Sequence, residues 1–182
     1  MIPDFVVIAV SRDLISHVRE IFSITIQEAR LKGWTPDAGP LFTPRAYPAF
    51  VSAVASIEAF LNETLLGRPG RVLYPESVVW KFLDDLERLE TRSKLLLVPQ
   101  LLLGRSLARD RQPFQGFNLL VRMRNDIVHY KAKNAPPSYV DQLVQERVAL
   151  PKPGPSQSYC WQHQICSHEA IRWAHNVACS VV

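Results

Sequence analysis

The stretch FQGFNLLVRMRNDIVHYK, residues 114–131, decides how this chain reads. At about 100° per residue, Phe117, Leu120, Ile127 and Val128 gather on one side of a helix with Arg124 among them. Asn125 and His129, four apart, line up at the border of that arc, and Arg122 lies beside His129. A helix from Phe114 to about Lys131 follows. Its apolar face carries a cation and is bordered by an imidazole.

The same periodicity recurs on both sides. Upstream, a helix is expected from Ser11 to Lys32, with Leu14, Ile15, Val18, Ile21, Phe22 and Thr25 on one face and Gly33 placed to end it. Pro36, Pro40 and Pro44 make the next segment a loop. A second helix runs from about Pro48 to Leu66, where Gly67-Arg68-Pro69-Gly70 stops it. A third begins after Pro75, with Val79, Phe82, Leu83, Leu86 and Leu89 as its apolar face. A fourth covers Thr91 to Leu103, shortened or kinked by Pro99. Downstream, Pro136-Pro137 precede a short helix from Ser138 to Arg147. Leu150 to Ser158 is too rich in proline for regular structure. A last helix runs from Ser167 to Val182, with Ser167 as its cap and Glu169 in its first turn. With few glycines and no turn signals at strand spacing, the chain reads as all-α.

Composition bounds the function. The chain has 182 residues, 47% apolar and 21% charged, and its mean hydropathy is near zero. One domain spanning residues 1–182 is expected, able to fold without disulfides or a metal. No apolar run is long enough to span a bilayer. The acid at Asp4 and the short run Phe5 to Val10 do not fit a secretory leader, so the expected location is cytoplasmic. Three cysteines in the last quarter agree with a reducing compartment. The net charge is +4, and Arg outnumbers Lys, which permits a phosphate-bearing partner. No Gly-rich phosphate loop exists, which argues against an NTPase. Asp84, Asp85, Glu87 and Glu90 read as a solvated face, not a hydrolytic carboxylate pair.

On the second helix, Val51, Val54, Ala55, Leu61 and Leu65 define an arc that also holds Glu58 and Asn62. A buried unpaired charge is very costly, so Glu58 and Arg124 are expected to face one another across the helix interface. Two readings stay open. Glu58 and Arg124 fix helix register, with His129 beside the last carbonyls; or Arg124, Asn125 and His129 converge on a phosphate, the Arg as a permanent positive fork and the His as a proton carrier near neutral pH.

Near the C-terminus, Cys160, His163, Cys166, His168, His175 and Cys179 are dense enough to supply zinc ligands, but their spacing fits no familiar zinc pattern. The expectation is that Cys179 packs in the core and the histidines are solvated, with no metal and no cofactor.

The run from Arg122 through Arg124-Asn125 to His129-Tyr130-Lys131 resembles the signature of the HEPN superfamily, an Arg followed four to six residues later by a His near a helix end. Ser52 to Glu63, with Glu58 and Asn62, is similar to the helix that precedes that motif in bacterial members. Trp80-Lys81, Lys94 to Leu103 and Pro113-Phe114 resemble the intervening region, and Arg172-Trp173-Ala174 the closing helix of some members. The likeness covers about residues 10–135, leaving 136–182 as a C-terminal extension packed on the bundle. It implies an antiparallel up-and-down helical bundle with an additional C-terminal helix, dimerising so that two motifs share one cleft. It further implies a metal-independent endoribonuclease of toxin or defence type. Arg124 would hold the scissile phosphate, His129 act as general acid or base, and Asn125 orient substrate or the His. Glu58, Asn62, Arg122, Tyr130 and Lys131 would support them. RNA, a second copy and an antitoxin or other protein are the expected partners. The rival expectation is a catalytically silent helical module that binds RNA, a nucleotide or a protein.

Overall fold

The structure, a computed structural model, describes residues 10–65, 67, 72, 75, 76, 78–129, 135–152 and 160–182. Among these residues the chain is all-helical and contains no strand; Phe42 and Ser167 form an isolated antiparallel bridge. Seven α-helices appear in order: α1 Val10–Leu31, α2 Ala46–Phe60, α3 Leu83–Arg88, α4 Thr91–Leu103, α5 Phe114–Val128, α6 Ser138–Gln145 and α7 His168–Val181. None is long and apolar enough to cross a membrane.

At the centre stands α2, packed against α1, α5 and α7. Its buried side is Ala46, Ala49, Phe50, Ala53, Val54, Ser56 and Ile57. Three alanines let neighbouring helices approach closely, while Phe50 and Ile57 fill the space between them. This side differs from the arc expected from the sequence, since Val51 is exposed and Ala55 only half-buried. α2 also ends at Phe60 and passes into a π-helical turn, Leu61–Leu65. There the Glu63 carboxylate accepts hydrogen bonds from the Val10 and Ser11 N–H groups and from the Ser11 hydroxyl, closing the first turn of α1. Those amides have no intrahelical partner, and an acid suits that end of the helix dipole.

The region after Pro75 is less helical than its apolar pattern suggests. A 3-10 turn, Val78–Lys81, precedes a short α3. Leu86, Val98 and Leu102 then form a small cluster of their own, with Trp80, Leu83 and Leu89 packed around it. Pro99 neither shortens nor ends α4, which continues to Leu103 and closes at Gly104 in the left-handed region, φ 68°. α5 ends at Val128, short of the expected Lys131, and the described part of Leu150 to Ser158 is irregular.

The main core joins α1 to α7, with Val18 and Ile21 of α1 in the same cluster as Ile171, Ala174 and Ala178 of α7. Ser167 caps α7 as expected. Its hydroxyl oxygen accepts from the Ala170 N–H at 2.9 Å and its proton goes to the Val148 carbonyl. The loop before α2 is tied to the same place. Thr43 N–H donates to the Cys166 carbonyl at 2.8 Å and His168 N–H to the Leu41 carbonyl at 3.0 Å.

Candidate functional site

α5 presents the motif residues on two sides. Arg122 and Asp126 turn toward α6. The Arg122 guanidinium lies 5.4 Å from the centre of the Tyr139 ring, and the Tyr139 hydroxyl donates to Asp126 at 2.7 Å. Burial, followed by that carboxylate, raises the Tyr139 pKa well above the phenol range, so the hydroxyl stays a donor. The last turn of α5 is thereby pinned to α6.

Arg124 lies on the core side of α5, half-buried, and Asn125 is half-buried beside it. His129 caps the helix, its N–H bonded to the Asn125 carbonyl at 2.8 Å, and its side chain is exposed. His129 follows Arg124 by five positions, roughly 7.5 Å of helix rise. Tyr130 and Lys131 lie outside the described residues.

The expected Glu58–Arg124 ion pair is not formed: among the described residues no salt bridge joins them. The cause is the rotation of α2 just described. Its buried side centres on Phe50, Ala53 and Ile57, which turns Glu58 toward the more open side, where it is half-buried. Among the described residues no carboxylate forms a salt bridge with Arg124, whose side chain is half-buried. Asn62 is likewise exposed, on the π-turn, where its Oδ1 accepts from the Lys94 ammonium at 3.0 Å.

Lys94 is a residue that sequence reasoning missed. Only 2% exposed, its ammonium reaches one amide oxygen, and no carboxylate pairs with it among the described residues. Its neighbours in sequence, Leu95, Leu96 and Leu97, are apolar nearly all round α4. No face can be told from such a run, so nothing marked Lys94 as internal.

His168, named above among the possible zinc ligands and expected on a solvated face, is instead buried, 3% exposed at the start of α7, because its ring packs against Trp34 and Phe22. Its Nδ1 accepts from the Leu41 N–H at 2.9 Å, which leaves the proton on Nε2, 3.2 Å from Glu169 Oε1. Glu169 Oε2 in turn meets Arg172 at 2.5 Å. The His168 ring packs edge-on to Trp34, centroids 4.9 Å apart, and stacks on Phe22 at 6.3 Å. Burial lowers its pKa, partly offset by Glu169.

Two clefts lie apart from the motif. One of ≈ 540 Å³ runs along α1 and the Leu41 to Arg45 segment, where Arg45 holds Glu28 through two bonds of 2.5 and 2.7 Å. The other, ≈ 430 Å³, lies between Arg147, Arg172, Trp173 and Pro40. Arg124 and His129 line neither. Among the described residues no three His, Cys, Asp or Glu side chains come together as a metal site. Cys179, expected in the core, is exposed, whereas Cys166 is buried against Tyr47 and its thiol is pushed up to about 11 by burial. The chain matches no family model, no curated protein and no solved structure.

Proposed function

We propose that this chain is a HEPN-like, metal-independent endoribonuclease of toxin or defence type, working as a homodimer in the cytoplasm, with Arg124, Asn125 and His129 of two copies facing one RNA. What carries the reading is the last turn of α5. An arginine that has no carboxylate partner among the described residues sits five positions before an exposed histidine, on a helix held in place through Tyr139.

The chemistry follows from those groups. Arg124 neutralises the scissile phosphate, whose charge grows as a fifth oxygen approaches phosphorus. The RNA 2′-oxygen attacks its own phosphate and the bond to the 5′-oxygen breaks. One His129 accepts the 2′-proton and its counterpart gives a proton to the leaving oxygen. The products are a 2′,3′-cyclic phosphate and a free 5′-hydroxyl. DNA, without the 2′-hydroxyl, binds uncut. Asn125 orients the His or the phosphate, and Arg122 broadens the positive field. Glu58 takes no part in holding Arg124.

The test is incubation of the purified chain with end-labelled RNA in EDTA, followed by end-group analysis. Cleavage with cyclic phosphate ends is expected, reduced by about 10²- to 10⁴-fold in His129→Ala. Arg124→Ala is expected to lose both cleavage and RNA affinity. Equal cleavage by His129→Ala would reject the assignment. Tight RNA binding without cleavage by the native chain would favour the silent module.

A further inference from the structure

The turn that closes α6 carries an unexpected residue. Val148 N–H donates to the Leu143 carbonyl at 2.8 Å and Arg147 N–H to the Val144 carbonyl at 3.0 Å, the paired bonds of a Schellman closure. They hold Arg147 in the left-handed region, φ 57°, where no other non-glycine among the described residues lies. Glycine or asparagine is the usual occupant of that position, because a Cβ is strained at positive φ. Here an arginine takes it, and its side chain lines the ≈ 430 Å³ cleft.

Three segments meet in that cleft. The Pro36 to Pro40 segment lines one part, the turn after α6 another, and α7 the third, with Glu169, Arg172, Trp173 and Asn176 following one another at helical spacing. Arg172 is fixed in direction, its Nη2 meeting Glu169 Oε2 at 2.5 Å while Glu169 Oε1 lies 3.2 Å from the buried His168 Nε2. Glu146, the other acid of the lining, accepts from the Gln142 amide at 2.8 Å. Among the described residues no carboxylate pairs with Arg147. Its charge is the one in this lining left without an answer. Trp173 is half-buried and packs against the main core, and with Pro36 and Pro40 it adds flat apolar surface to the cleft.

We propose that this cleft binds a small oxyanion carried on a planar ring, with the phosphate or carboxylate on Arg147 and the ring against Trp173. A guanidinium fork matches two oxygens of such a group, and an indole offers a flat face to a ring. Arg172, already oriented through Glu169, supplies further donors. The Asn176 amide both donates and accepts, so it suits polar atoms on the ring's edge. The cleft's volume lies within the range of small-molecule sites, about 300–1,000 Å³. Arg124 and His129 do not line it, so the site is separate from the proposed ribonuclease residues.

The test titrates the full chain with phenyl phosphate, benzoate and the four nucleoside monophosphates, against inorganic phosphate and the uncharged nucleosides, by calorimetry and tryptophan fluorescence. Expected is one ring-bearing oxyanion per chain, with Kd below about 1 mM and about tenfold or more tighter than inorganic phosphate or an uncharged ring. The tightest probe tells phosphate from carboxylate and a simple ring from a nucleobase. Arg147→Gly places at positive φ the residue that fits it, so its circular dichroism spectrum should match the native one while binding weakens about tenfold or more. The fluorescence change should vanish in Trp173→Phe, since Trp34, Trp80 and Trp161 do not line the cleft. Binding by none of the ring compounds, inorganic phosphate binding as tightly as all of them, or an affinity unchanged in Arg147→Gly would each overturn the proposal. So would a fluorescence change that persists in Trp173→Phe. None of these readouts depends on RNA cleavage.

Discussion

Lys94 gives up the hydration of an ammonium for, among the described residues, one hydrogen bond to Asn62. That exchange is costly, because a buried charge wants a counter-charge or several acceptors. Two substitutions should therefore act in opposite directions. Lys94→Met keeps the shape and removes the charge, and should leave stability within about 1 kcal/mol of native or raise it. Asn62→Leu strips the ammonium of its acceptor and should cost about 1–3 kcal/mol. Urea denaturation of the two variants measures both, and a larger loss for Lys94→Met than for Asn62→Leu would reverse the account. The residue scale also shows what the sequence could not reveal. Asn62 stood out as polar within an apolar arc, but its partner lies 32 residues away, within a leucine-rich run without a polar face. Arg124 and His129 were legible because each interrupts or borders a clear helical pattern. The absent Glu58 pair was inferred from an arc of the wrong orientation.

At the scale of elements, that arc failed for a physical reason. Ranking side chains by size favours Val51 over Ala49 and Ala53, whereas a central helix with neighbours on several sides buries the small ones where backbones come close. Helices with a single packed side were easier. α1 buries Val18, Ile21 and Thr25, and α7 is capped by Ser167, as their patterns indicate. α4 shows the opposite override, since tertiary packing holds a helix through Pro99. The proline nitrogen has no hydrogen to donate, so the Leu95 carbonyl lacks its helical bond. Pro99→Ala restores the donor without adding bulk, and should raise stability by about 1–3 kcal/mol, seen as a higher Tm. A lower Tm would mean that the ring's own packing outweighs the lost bond.

For the molecule as a whole, His168 couples the start of α7 to the loop before α2. In the folded chain its pKa is below the usual 6.5 of an unfolded histidine because burial disfavours the imidazolium. Protonation also destroys the acceptor that Nδ1 offers to the Leu41 N–H. Between the lowered folded value and 6.5 the unfolded chain binds more protons than the folded one, so stability falls as pH falls. The contribution is complete above about pH 7 and is lost on acidification through the folded value. His168→Gln keeps an acceptor for Leu41 and removes the titration, so its Tm should change less between pH 7.5 and pH 5 than that of the native chain. Equal slopes would show that His168 does not govern the dependence.

The bonds from Leu41 and Thr43 to Cys166 and His168 join positions up to 127 residues apart. Bringing the ends of such a span together costs about 4 kcal/mol of chain entropy before any contact repays it. A protein built of helices usually folds quickly through local contacts, but here the groove between α1 and α2 is roofed by α7, more than 100 residues further along the chain. During synthesis α1 and α2 therefore leave the ribosome with Val18, Ile21 and Phe50 uncovered, and the native bundle closes only after α7 has followed them out.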